Sequence, residues 1–145
     1  MVVVVIIGIS LLVAVPKLFP SDDEITRGES ERVLAILQVA RDEAAFGGRV
    51  IAARFGTGKM QFFERDAGNP DQWNASGSAE LKPHTFAESV NVQLTVAGNA
   101  VPQKDAQITF LPIGTSQPFE LSLATRSVVI TIAGDAIGNL RVKSG

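Results

Sequence analysis

Cysteine is absent from this chain of 145 residues, which excludes a disulfide framework, a thiolate metal site and a cysteine nucleophile. Histidine is nearly absent too. His84 is the only one, so a zinc site would have to be completed by carboxylates, and the residue reads as an ordinary loop histidine. An excess of positive charge is also missing: 13 Lys and Arg stand against 15 Asp and Glu, for a net charge of −2. That balance provides no electrostatic footprint for a polyanion, and no nucleic-acid partner is expected.

Catalytic signatures are equally scarce. The stretch FGTGKM places one residue between Gly56 and Gly58 and Met60 after Lys59, whereas a phosphate loop needs four residues between its glycines and Ser or Thr after the lysine. It reads as a hairpin turn. Asp66, Asn69 and Asp71 lack the spacing of a calcium loop and read as solvated loop residues. Asn74-Ala75-Ser76 matches a glycosylation acceptor, which is uninformative without a eukaryotic secretory route. No G-x-S-x-G elbow and no carboxylate pair is found. The chain is therefore not expected to be an enzyme or to hold a cofactor.

What is present is concentrated at the front. MVVVVIIGISLLVAVP carries no charge, with Val2, Val5, Ile6, Ile7, Ile9, Leu11, Leu12 and Val15 as its large apolar members. Fifteen helical residues reach about 22 Å, short of a bilayer core of about 30 Å. No lysine or arginine precedes the run and no A-x-A-like site follows it, so it does not read as a cleaved signal peptide. A buried core helix or a parallel strand is possible. The favoured reading is most of a membrane helix whose beginning lies upstream, kinked at Pro16. Ser21 and Glu24 have capping-box spacing, and Asp22, Asp23 and Glu24 suit the first turn of a resumed helix. Its apolar stripe is Val33, Ile36, Leu37, Ala40 and Ala44, with Glu31, Gln38, Arg41 and Asp42 off it. Gly47 and Gly48 stop the helix, and Gly28 weakens or bends it.

From Arg49 onward the apolar period falls to 2. Strands are expected in RVIAARF, KMQFFE, VNVQLTV, QITFL, FELSLAT, SVVITIAG and NLRVK, about seven in all, separated by turn residues. Residues 66–83 read as a polar surface loop pinned by Trp73. The fold class is α+β, with the 21–47 helix laying its stripe on one face of an antiparallel sheet. Two segments result: 1–47, of which 1–16 is the membrane or filament-core part, and a β-rich domain from 48 to 145.

An apolar first half-helix, a proline kink, an amphipathic second half and a small β-domain together resemble the type IV pilin-like proteins. MVVVVIIGISLLVAVP resembles the end of the opening G-F-T-L-I-E-L-M-V-V-V-x-I-I-G-I. At the back, Phe110, Pro112, Gly114, Pro118, Phe119, Leu121 and Leu123, then Gly138, Leu140 and Val142, resemble the closing pattern of the GspH family of minor pseudopilins, which is related to the pilus-associated FimT proteins. The peptidase site and mature glutamate of such proteins would lie just before Met1. Restoring about six residues would lengthen the run to a span of about 31 Å. The resemblance implies a single-pass inner-membrane protein with a periplasmic domain that partners other pseudopilins in a type II secretion filament, near its tip. Two alternatives remain: a FimT-like pilin for pilus assembly or DNA uptake, and a tethered periplasmic module binding a small ligand at Phe62, Phe63 and Trp73.

Overall fold

The computed structural model describes residues 21–56, 58–115 and 117–144. The apolar stretch from Val2 to Pro16 lies outside the described residues. Among those described, no helix is long and apolar enough to cross a membrane.

Helix α1 runs Asp22–Gly47. Its N-cap is Ser21, whose hydroxyl accepts from the Glu24 N–H at 3.2 Å, and its acidic first turn complements the helix dipole. It ends at Gly48, in the left-handed region at φ 61°, where glycine carries no Cβ penalty. Gly28 does not interrupt it: the helix is continuous, and a side chain there would meet nothing within 4 Å.

Among the described residues eleven strands follow where about seven were expected: β1 Ile51–Gly56, β2 Lys59–Arg65, β3 Trp73–Ala75, β4 His84–Thr85, β5 Asn91–Val96, β6 Asn99–Ala100, β7 Gln107–Leu111, β8 Gly114–Thr115, β9 Phe119–Ala124, β10 Val129–Gly134 and β11 Leu140–Ser144. A 3-10 turn at Gln103–Asp105 precedes β7. The extra strands are two or three residues long, too short to show an apolar period. They also amend the expected loop between residues 66 and 83. Trp73–Ala75 pairs with β2 in the register Arg65↔Trp73 and Phe63↔Ala75. Asp66 organises the turn before it, accepting from the N–H groups of Gly68 and Asn69 and from the Asn74 amide.

The strands form two antiparallel sheets instead of one. The first has the order β3-β2-β1-β7-β8, with β4 also on β2; the second has the order β11-β10-β9-β5-β6. Parity decides which face is buried. Phe119, Leu121 and Leu123 are buried while Glu120 and Ser122 between them are half-exposed, and they oppose Val96, Leu94 and Val92 on β5 as a half-buried antiparallel sheet requires. On β2, Met60 and Phe62 are buried and Gln61 is exposed. α1 touches β1 and β7 of the first sheet and β9, β10 and β11 of the second, so one helix closes one core shared by both. Leu37 lies at its centre with 0% exposure. Leu37→Ala should cost about 2–5 kcal/mol by chemical denaturation of the full chain in nonionic detergent, whereas Ala35→Ser on the exposed side should stay within about 0.5 kcal/mol.

Candidate functional site

The feature with most built-in specificity is the seam between α1 and the sheets. Its buried residues are Thr26, Ser30, Val33, Leu37, Ala40 and Ala44, at alternating steps of four and three, which is one face of a helix. Ile36 lies at the edge of this stripe, partly buried against the core together with Ile25, Leu34 and Val39. The apolar stripe legible in the sequence begins at Val33. Thr26 and Ser30 extend it by two turns, and the same spacing, applied to hydroxyl residues, would have included them.

Polar contacts fix the helix along its length. The Thr26 hydroxyl donates to the Asp22 carbonyl at 2.6 Å and lies 3.1 Å from the Thr125 hydroxyl. Ser127 donates to Asp22 at 3.1 Å. Glu29 meets the His84 Nε2 at 3.0 Å, and the imidazole stands edge-on to Phe86 with centroids 5.2 Å apart. His84 is therefore not an ordinary loop residue: it is buried in β4 and joins helix to sheet. Farther along, the Ser78 hydroxyl donates to Glu43 at 2.6 Å, and Arg41 Nη1 donates to the Gly138 carbonyl at 3.2 Å.

Arg41 leads to a corner where helix and both sheets converge. A Cβ on Gly114 would stand 2.3 Å from the Ala136 carbonyl oxygen, and one on Gly138 would meet Gly114 Cα and the Arg41 side chain at 3.4–3.5 Å. Both glycines have positive φ, 148° and 93°, so bare backbone is required there. Thr115 ties the sheets together: its N–H donates to Ala136 O at 3.2 Å and its hydroxyl to Asp135 O at 2.7 Å. The Asp135 carboxylate in turn accepts from the N–H groups of Asn139 at 2.9 Å and Ile137 at 3.1 Å. The Asn139 N–H in particular holds the Asp135 carboxyl below its ordinary 3.8. Phe110, Phe119, Leu121 and Leu123 of the closing pattern are core residues, whereas Val142 is 43% exposed. The glycines of that pattern, Gly114 and Gly138, shape the corner.

The three aromatics considered for a ligand pocket do not converge. Phe62 is in the core at 3% exposure, and Phe63 and Trp73, half-buried, belong to the opposite face of the first sheet. Among the described residues no group of three His, Cys, Asp or Glu is placed to hold a metal ion.

A side chain at Gly114 forces backbone apart, so Gly114→Ala should lower the thermal midpoint while Gly56→Ala, in open space, should not. Because the Asp135 pKa is depressed in the fold, its contribution is present above the unfolded value and is lost as pH falls through the folded one. The difference in thermal midpoint between wild type and Asp135→Asn should therefore shrink on acidification from neutrality to below 3.8.

The comparisons with known proteins agree with this architecture. No individually curated protein matches the sequence significantly. Among solved structures, a crystal structure of the minor pseudopilin EpsH from the type II secretion system of Vibrio cholerae superposes with a TM-score of 0.68 at 17% identity, covering 85% of this chain and 97% of that one. A second EpsH structure gives 0.67. The type IV minor pilin FimU of Pseudomonas aeruginosa gives 0.59 at 16% identity, over 83% of this chain and 89% of that one. At such identities the likeness shows the fold. The family model described as type II transport protein GspH matches residues 29–138, and with that match over most of its length the chain belongs to the GspH family.

Proposed function

We propose that the chain is a minor pseudopilin: a subunit that enters a type II secretion filament through its N-terminal helix and presents its β-domain outside the filament core. The observation that carries this reading is the fastening of α1, which begins at Asp22, a few residues after the apolar stretch of residues 1–16 in the sequence, and is held to the two sheets by a buried stripe and by side chains from Asp22 to Glu43. A helix attached in this way passes force arriving at its N-terminus to the globular head without separating from it. The GspH membership and the EpsH likeness support the same reading.

In this account Val2, Val5, Ile6, Ile7, Ile9, Leu11, Leu12 and Val15, kinked at Pro16, hold the subunit in the inner membrane with residues 48–145 in the periplasm. They then move into the helix-packed centre of the filament. The transfer exchanges one apolar surrounding for another, so little hydrophobic free energy is lost. The partners are other pseudopilins, the major one and those at the tip, in the heterologous contacts that build open helical assemblies. The work is mechanical, and no bond chemistry is required.

The test is complementation of a strain lacking its own GspH-family subunit. The chain, extended upstream by the peptidase site and the roughly six mature residues that the resemblance implies, should restore secretion of a reporter enzyme. Deleting residues 2–16 should return secretion to the deletion-strain level, and Leu11→Arg, which places a charge costing about 2.5–3.5 kcal/mol in the apolar segment, should strongly reduce it. Full secretion from the chain without residues 2–16 would overturn the proposal, and rescue of pilus-dependent motility in place of secretion would favour the FimT-like alternative.

A further inference from the structure

The outer face of the first sheet carries an arrangement that the helix seam does not use. Arg54 on β1 places its guanidinium carbon 4.5 Å from the Phe63 ring centroid and 5.5 Å from that of Trp73, and Arg65 lies 5.0 Å from Trp73. Two arginines are thus stacked on two aromatic rings across β1, β2 and β3. The Arg54 end is further fixed by a relay of amides. Its Nε donates to Gln107 Oε1 at 2.9 Å, and Gln107 Nε2 donates to the Thr109 hydroxyl at 2.9 Å. Among the described residues neither Arg54 nor Arg65 has a carboxylate within ion-pair distance.

Stacking and the Gln107 bond hold the Arg54 plane, and among the described residues its two Nη groups have no hydrogen-bond partner. A guanidinium held this way presents a fork of parallel N–H donors at little further entropy cost, the geometry that matches a carboxylate. A groove of about 500 Å³ opens beside it, with Gln61, Phe63, Lys104, Asp105 and Gln107 in its lining. In the groove lining Arg54 and Lys104 outnumber Asp105, although the whole chain carries a net charge of −2. The local sign is therefore opposite to the global one.

We propose that this face docks an acidic peptide segment of a protein partner, its carboxylates taken by the forks of Arg54 and Arg65 with Lys104 at the margin. A stacked base or a neutral sugar ring fits less well, because both aromatics are already engaged by guanidiniums and the free groups are charged donors. A long polyanion would also meet the net negative charge of the rest of the molecule. The inference does not depend on filament assembly and can fail separately from it.

Trp73 is the only tryptophan of the chain and belongs to the stack, so its fluorescence reports occupancy directly. The full chain in nonionic detergent is titrated with a short Glu-Ser repeat peptide, its neutral Gln-Ser counterpart, and a single-stranded oligonucleotide. The acidic peptide should change Trp73 emission saturably and more weakly as salt rises. Arg54→Gln should weaken binding about tenfold or more, with Arg54→Lys also impaired because it lacks the planar fork. Arg65→Gln, at an exposed position that the fold does not need, should weaken it in the same direction, while Arg126→Gln leaves it unchanged. Thermal midpoints establish that each variant is folded. A flat titration, an equal response to the neutral peptide, unchanged binding by folded Arg65→Gln, or tighter binding of the oligonucleotide would each overturn the proposal.

Discussion

Six residues of α1, from Thr26 to Ala44, lie against two sheets at once, and the shape of the domain follows from that shared burial. Either sheet alone has one apolar face and would need a cover. Because Val33, Leu37, Ala40 and Ala44 are all at 0% exposure, one helix covers both, and the inner strands bring Phe110, Leu121 and Ile132 to the same core. The small residues Ala40 and Ala44 occupy the stretch of the helix nearest the corner. There Arg41 bonds Gly138 and bare backbone at Gly114 lets the β8 edge approach the β10–β11 turn. Large side chains fill the middle of the seam and small ones its far end.

This division explains why the closing sequence pattern takes the form it does. Phe110, Phe119, Leu121 and Leu123 fill the core while Val142 stays exposed, and Gly114 permits a close approach that a Cβ would block. Thr115 and Asp135 then satisfy the polar backbone that the approach brings together. The corner is a polar weld at the edge of an apolar seam, and each needs the other to exclude water.

Much of the architecture was legible in the residues. Alternation of Phe119, Leu121 and Leu123 with Glu120 and Ser122 identifies β9 and its buried face, and Ser21 with its following acids locates the start of α1. The division into two sheets was not legible, because it rests on the pairing of β1 with β7 and of β5 with β9, partners far apart in the chain that no local period encodes. β3, β4, β6 and β8 escaped notice because two or three residues cannot display alternation. His84 was misread because a lone histidine in a polar stretch gives no sign of Glu29, 55 positions away. Phe62 and Phe63 look like one aromatic patch in the sequence, yet adjacent strand residues face opposite ways, and parity alone could have separated them.

Gly28 has a mechanical consequence. It lies inside α1 with empty space where a side chain would be, a point at which glycine lowers the intrinsic helix stability by about 1 kcal/mol relative to alanine. The Thr26–Thr125 contact lies just before it and the Glu29–His84 contact just after it. The intrinsically weakest point of the helix is therefore splinted from the side by the β-domain. The continuity of α1 through Gly28 thus leans on cross-ties to other elements as well as on its own backbone.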